Sequence, residues 1–265
     1  MDNVFFLKLC LGFIAGSSVI TLTSLAAEKF GSKVGGLIGG IPSTSVVALL
    51  FIGIVQSPEY AIQATNVIPL VMGYNSLYLI VFVYLSRYSF MTGMGGALAM
   101  WFAFSLLTIA LDFRHFSLGL AIGLLLFVYS YFILEKRFRL TAIAGVSVRF
   151  TPLQIVGRSL FSGLVISLVI FLSKVSGPLI GGVFAVFPVV FTSTLVITSF
   201  SRGVAFARAL TKPLLVSAMV NVIVYVIAVR LFYPGLGLIL GTISALMVTG
   251  VSVYATYSFI TKKMA

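Results

Sequence analysis

The sequence predicts an all-α, polytopic membrane protein of about nine transmembrane helices, in which two inverted four-helix repeats are joined by one extra helix. The 265-residue chain is 60% hydrophobic and only 8% charged, whereas a soluble domain carries roughly 25% charged residues. Its apolar stretches are long enough to cross a bilayer, which takes about 20 residues. In addition, rare residue types recur in a single register 146 positions apart.

The predicted spans are apolar stretches separated by polar breaks or by breaks rich in glycine and proline. They cover residues 4–26, 34–56, 63–86, 91–111, 116–134, 154–173, 177–200, 210–229 and 235–260. A basic segment, residues 135–158, interrupts the series. Its apolar piece from Leu140 to Val148 is too short to span, so we expect this segment at the membrane surface or in a loop.

The basic residues predict the orientation. With nine spans, Lys8, Arg114, Lys174 and Arg230 fall on one side of the membrane, and the remaining 13 of the 17 Lys and Arg fall on the other. Because basic loops face the cytoplasm, we expect the N-terminus outside the cell membrane and the C-terminus in the cytoplasm. The net charge of +12 predicts contact with anionic lipid headgroups and not with nucleic acid, since no stripe of basic and aromatic residues is present.

An internal duplication is predicted by sliding the chain along itself by 146 residues. In that register Gly31 falls on Gly177, Gly35 on Gly181, Gly36 on Gly182, Pro42 on Pro188, Asn75 on Asn221 and Gly95 on Gly241. The predicted units are residues 1–111 and 154–265, with four spans each, and residues 112–153 hold the linking span and the basic segment. One span between two four-span units inverts the second unit, which is typical of secondary transporters.

The segment "GGLIGGIPSTSVVALL" resembles that of the GlpM-like small membrane proteins. It contains a Gly-Gly pair, five further residues and a proline, and then small polar residues and an apolar run. The resemblance implies a unit of about four spans in each half of the chain, with two such units fused in opposite orientation. It implies no mechanism. The second half departs from the pattern after its proline, where it reads "VVFTST".

The two Gly-Pro segments are the candidate substrate site. A proline inside a helix frees a backbone carbonyl, and hydrocarbon offers that carbonyl no partner. The predicted binding residues are Pro42, Ser43, Thr44, Ser45 and Asn75 in the first unit, and Pro188, Thr192, Ser193, Thr194 and Asn221 in the second. The predicted helix-break glycines are Gly35, Gly36, Gly39, Gly40, Gly181 and Gly182. Tight helix packing around a kink explains the glycines and prolines equally well.

The acidic residues bear on function through their positions. Asp2, Glu28, Glu59, Asp112 and Glu135 all fall at predicted span ends or in loops. No metal cluster, catalytic dyad or phosphate loop can be assembled, so we expect neither an enzyme nor a bound cofactor or metal. The sequence favours a transporter or facilitator of a small uncharged, zwitterionic or anionic solute that works by alternating access. A lipid translocase and a non-transporting membrane scaffold are the alternatives.

Overall fold

The computed structural model of the protein describes residues 3–29, 42–140 and 151–263, which are almost entirely helical and contain no β-strand. The helices are α1 (Asn3–Lys29), α2 (Ser43–Val55), α3 (Pro58–Ala64), α4 (Ile68–Leu85), α5 (Phe90–Ala110), α6 (Phe116–Phe132), α7 (Pro152–Ser176), α8 (Pro178–Ala185), α9 (Val189–Arg202) and α10 (Val204–Lys263). A π-helical turn, Ile133–Arg137, extends α6. Residues 141–150 of the predicted surface segment, which include most of its apolar piece, lie outside the described residues.

The prediction of a multi-spanning helical protein is confirmed. Within the described residues, seven helical segments are long and apolar enough to cross a membrane. The last of them, α10, covers two predicted spans. Its 60 residues contain one non-helical position, Gly237 with φ 70°, a conformation that glycine adopts without strain. The second predicted span is represented by the 13 residues of α2, because residues 30–41 lie outside the described residues.

Local sequence signals explain where several helices begin. Ser89 caps α5 and Thr151 caps α7, each in a reciprocal capping box with the side chain three residues on, Thr92 and Gln154 respectively. These boxes satisfy backbone amides that would otherwise have no partner at a helix start. Pro178 supplies a preset first turn for α8. The capping residues therefore fix the entry points of the helices independently of the bilayer.

Helix α4 is the centre of the bundle. Of its membrane-spanning window, 72% is buried inside the protein, against 22% for the windows of α1 and α6. It packs against α5, α6 and α10. The α6 contact is a close one, because a Cβ on Gly123 would lie 2.1 Å from the carbonyl oxygen of Pro69. The burial of α4 places its polar residue Asn75, 4% exposed, among protein groups and away from lipid.

Polar and cation–π contacts sort the helix ends into two groups. At one end, Lys8 Nζ donates to the carbonyl oxygen of Ile54 at 2.9 Å, and Arg230 lies over the ring of Phe116 at 4.3 Å. At the other end, Arg208 donates to Ser86, and Lys212 pairs with Glu135. Lys8 and Arg230 therefore lie at one end and Arg208 and Lys212 at the other, as the predicted division of basic residues requires. Which end faces the cytoplasm stays a prediction.

We expect the end of the molecule that carries Ser176 to face outside and the C-terminus to face the cytoplasm. In a Cys10→Ser background, a Ser176→Cys variant in whole cells should react with a membrane-impermeant maleimide. An Ala265→Cys variant should react only after the cells are permeabilised. The physical reason is the excess of Lys and Arg at the other end, which resists transfer across the membrane. The reverse labelling pattern would contradict the predicted orientation.

Candidate functional site

A cavity of about 70 Å³ lies where α2, α4, α10 and the break between α8 and α9 meet. Six of the predicted binding residues line it: Pro42, Ser43, Thr44, Ser45, Asn75 and Pro188. None of its described lining residues is charged; the others are mostly apolar, with Ser217 of α10 as a further hydroxyl. The structure therefore gathers the two prolines and one of the two asparagines around a common space.

The two prolines have nearly the same backbone conformation. Pro42 precedes α2 with φ −75° and ψ 53°, and Pro188 precedes α9 with φ −73° and ψ 48°. Each is the N-terminal cap residue of its helix, and neither helix receives a side-chain cap hydrogen bond. The N-termini of α2 and α9 therefore meet at the cavity.

The break between α8 and α9 frees two carbonyl groups that side chains of the first half satisfy. Pro188 has no N–H, and the amide of Val189 turns back to the carbonyl oxygen of Phe187 at 2.7 Å. The carbonyl oxygen of Ala185 accepts from Ser45 Oγ at 3.4 Å, and that of Val186 accepts from Asn75 Nδ2 at 2.8 Å. The two halves of the chain are thus joined through the break itself.

Several hydrogen-bonding groups at the cavity have no partner among the described residues. Helical geometry leaves the first amides of each helix without an intrahelical acceptor. In α9 the amide of Val189 bonds the carbonyl of Phe187 and that of Thr192 bonds the carbonyl of Pro188. The amides of Val190 and Phe191, both residues that line the cavity, have no backbone acceptor among the described residues. On the acceptor side, Asn75 Oδ1 is buried without a described partner.

Three predicted hydroxyl residues of the second half lie on α9 outside the cavity lining. Thr192 Oγ1 is 3.0 Å from the hydroxyl of Tyr78, and Ser193 Oγ donates to the carbonyl oxygen of Val190 at 3.3 Å. The carbonyl of Thr194 accepts from Thr198 at 2.6 Å. These contacts hold α9 against itself and against α4, so the two sets of hydroxyl residues are not placed symmetrically around the cavity.

Asn221 also lies away from the cavity lining. Its Nδ2 donates to Ser217 and Thr256, both at 3.3 Å, and its Oδ1 accepts from Ser252 Oγ at 2.7 Å. Ser252 and Thr256 belong to the part of α10 that follows Gly237, while Asn221 precedes it. The amide therefore ties the two parts of α10 together, although it aligns with Asn75 in the sequence.

The glycines that precede Pro188 serve close packing. A Cβ on Gly181 would lie 2.6 Å from Ser173 Cβ, and one on Gly182 would lie 2.1 Å from the carbonyl oxygen of Ala64. These positions let α8 approach α7 and α3 with no side chain between them. The first-half counterparts Gly35, Gly36, Gly39 and Gly40 lie outside the described residues.

Sequence reasoning missed Ser217, Met72 and the apolar wall of the cavity. Ser217 lies one helical turn before Asn221, and i, i+4 spacing places residues on the same helix face. This spacing from a predicted site residue could have identified Ser217 as a further polar candidate. Met72 and Phe187 carry no such signal, because apolar residues are the commonest type throughout this chain. Among the described residues, no group of three His, Cys, Asp or Glu side chains could hold a metal ion.

Comparison with known proteins gives one match. A family of unknown function, DUF3147, matches residues 9–114. The matched stretch ends close to residue 111, the predicted end of the first four-span unit. No curated protein and no solved structure shows significant similarity to the chain. The resemblance to GlpM-like proteins is supported by no homologue and stays a prediction. The first part of the chain is similar to a protein family of unknown function.

Proposed function

We propose that the protein is a membrane transporter or facilitator of a small solute, with the solute bound in the cavity between the two halves. One observation carries the proposal: the cavity lies at a broken membrane-spanning helix and is lined from both halves of the chain. Irregular backbone at membrane depth is tolerated where it lines a cavity, and transporters place their substrates at such breaks.

The composition of the walls supports alternating access. Pro42, Ser43 and Asn75 come from the first predicted unit, whereas Pro188 and Ser217 come from the second. A small rotation of one unit against the other would enlarge the cavity on one side of the membrane and close it on the other. Two polar bonds that cross this boundary, from Ser45 and Asn75 to the α8–α9 break, lie at the cavity, where bonds to a solute would replace them.

Two arginines of α10 are candidate gates at opposite ends of α4. At one end, Arg230 Nη1 donates to Thr65 Oγ1 at 2.9 Å and to Asn66 Oδ1 at 2.7 Å. At the other end, Arg208 Nε donates to Ser86 Oγ at 2.9 Å. Since α4 belongs to the first unit and α10 to the second, breaking one clamp while keeping the other would open the boundary on one side only.

Anionic lipid headgroups are the partners that we propose for the basic end. Arg87, Lys136, Arg137 and Arg139 are exposed there, and Glu135, which lies among them in the sequence, already pairs with Lys212. Each exposed basic residue near an anionic leaflet contributes about 1 kcal/mol of attraction. These contacts would orient the protein in the bilayer and do not involve the cavity.

Access to the cavity tests the transport proposal without knowledge of the substrate. In a Cys10→Ser background, we expect an Ala218→Cys variant to react with an impermeant thiol reagent added to either side of proteoliposomes of known orientation. Ala218 lines the cavity. The measurement is the labelled fraction against time for each side.

The matched control is Ala97→Cys, because Ala97 is fully buried in α5 and does not line the cavity. It should stay unlabelled from both sides. Labelling of Ala218→Cys from one side only, or from neither, would contradict alternating access. Labelling from neither side is the result that a packed, non-transporting scaffold would give.

A further inference from the structure

We infer that the cavity binds a small carboxylate that also carries a hydrogen-bond donor, as an amino acid or a hydroxy acid does. The inference rests on the proposed function, since it names the class of solute for the same cavity. It follows from three properties of the site: backbone amides without an acceptor among the described residues, a buried side-chain oxygen without a described donor, and a small volume.

The donors are backbone amides. Those of Val190 and Phe191 at the start of α9 have no acceptor among the described residues, and the first amides of α2 have no acceptor within their own helix. They belong to helices of 13 and 14 residues, whose dipoles place positive partial charge at these ends. Two helix N-termini that border one uncharged cavity favour an anionic group, and a carboxylate has enough lone pairs to accept from several of these amides at once.

The acceptor is the side-chain oxygen of Asn75. The residue is 4% exposed, and its orientation is fixed because Nδ2 donates to the carbonyl oxygen of Val186. Its Oδ1 is then left without a described partner, which is an unfavourable state for a buried polar atom. A simple anion cannot relieve that state, because an oxygen acceptor needs a donor. The ligand must therefore present an N–H or O–H group as well as its carboxylate.

The C-terminal end of α8 lies beside Asn75 and favours the same donor. The carbonyl oxygens of Ala185 and Val186 each accept one side-chain bond and have a second lone pair available. The end of a helix where carbonyls are exposed carries negative partial charge, which suits an ammonium group. Positive helix ends and a negative helix end on one cavity are complementary to a molecule with separated opposite charges.

The volume sets the size of the ligand. The cavity measures about 70 Å³, whereas an engineered cavity of about 150 Å³ accommodates benzene. Glycine, with five heavy atoms, is therefore of a size that this space favours. Molecules with long side chains would require the two halves to separate further.

Binding of three small probes to the purified protein tests the inference. Glycine carries both groups, acetate only the carboxylate and methylammonium only the ammonium. We expect glycine to bind, acetate to bind at least about tenfold more weakly because Asn75 Oδ1 stays unpaired, and methylammonium to show no binding. Equilibrium binding in detergent, with glycolate as a hydroxyl-bearing fourth probe, gives the comparison. Glycolate replaces glycine as the best probe if the natural donor is a hydroxyl.

A cavity-filling variant shows whether the probes bind in this cavity. Ala218→Leu should abolish glycine and glycolate binding without removing a polar group. Val251→Leu is the matched control, because Val251 is 71% exposed and does not line the cavity, and this variant should bind normally. Three results would overturn the inference: no binding of glycine or glycolate, equal binding of acetate or chloride, and binding that survives Ala218→Leu.

The failure of this inference can be distinguished from the failure of the transport proposal. If Ala218→Cys is labelled from both sides but no carboxylate binds, transport stands and the ligand class is wrong. If a carboxylate binds while Ala218→Cys is labelled from one side only, the ligand class stands and alternating access is wrong.

Discussion

The Asn75→Leu variant is expected to insert and fold, yet to bind glycine or glycolate at least about a hundredfold more weakly than the unaltered protein. Leucine removes the unpaired Oδ1 that we assign to the donor group of the ligand. It also removes the donor to the carbonyl oxygen of Val186, which loosens the α8–α9 break beside the cavity. Sites built to hydrogen-bond a ligand lose affinity steeply when one partner is removed, since the other stays buried and unpaired.

Asn221→Leu is the matched control for Asn75→Leu. Both asparagines are buried in a membrane-spanning helix, but Asn221 bonds Ser217, Ser252 and Thr256 and does not line the cavity. The Asn221 variant should lower the thermal unfolding temperature and keep its affinity. Equal binding by both variants and the unaltered protein would leave Asn75 with a packing role only. If Asn75→Leu does not express, Asn75→Ala supplies the same comparison.

Gly182→Ala is expected to destabilise the protein by about 3 kcal/mol, the upper end of the range for overpacking a filled interior. The added Cβ would lie 2.1 Å from the carbonyl oxygen of Ala64 and 2.8 Å from Val67 Cγ1. A backbone carbonyl cannot rotate away as a side chain can, so α8 and α3 must move apart. For a domain of this size we expect a fall of roughly 6–12 °C in the unfolding temperature.

Thermal unfolding in detergent micelles measures this effect, with Gly157→Ala as the control. Gly157 also lies in a helix, but a Cβ there would meet nothing within 4 Å. Alanine favours the helix over glycine by up to about 1 kcal/mol, so the control should be unchanged or slightly more stable. Similar losses from both substitutions would show that the α3–α8 contact is not specifically tight.

The membrane architecture was predictable from the sequence because it depends on averages over many residues. Hydropathy over about 20 residues locates a span even when its ends are uncertain, and the helices α1, α4, α5, α6 and α7 coincide closely with predicted spans. The position of the break at Pro188 was predictable for another reason, since proline has no N–H to continue a helix. The backbone conformation of Pro188 is almost the same as that of Pro42, and this similarity could not be predicted from the sequence.

The arrangement of the site was predictable only in part, because side-chain partners depend on tertiary packing. Asn75 and Asn221 occupy equivalent positions in the sequence register, yet one bonds a carbonyl at the helix break and the other bonds hydroxyls of α10. The difference comes from Ser252 and Thr256, whose counterparts 146 residues earlier are Leu106 and Ala110. A hydroxyl pair present in one half only gives its asparagine local partners, and the other asparagine is left to face the break.

The two arginine clamps of α10 also define a distance along the membrane normal. Arg208 and Arg230 are 22 residues apart, which is about 33 Å along an α-helix at 1.5 Å per residue. A typical hydrocarbon core is about 30 Å thick. If α10 crosses such a bilayer upright, each guanidinium group would lie near a water–lipid boundary while it holds one end of α4. In a thinner bilayer one arginine would be exposed to water, and in a thicker one it would lie in hydrocarbon. Lipid chain length would therefore change the relative stability of the Arg208 and Arg230 contacts with α4.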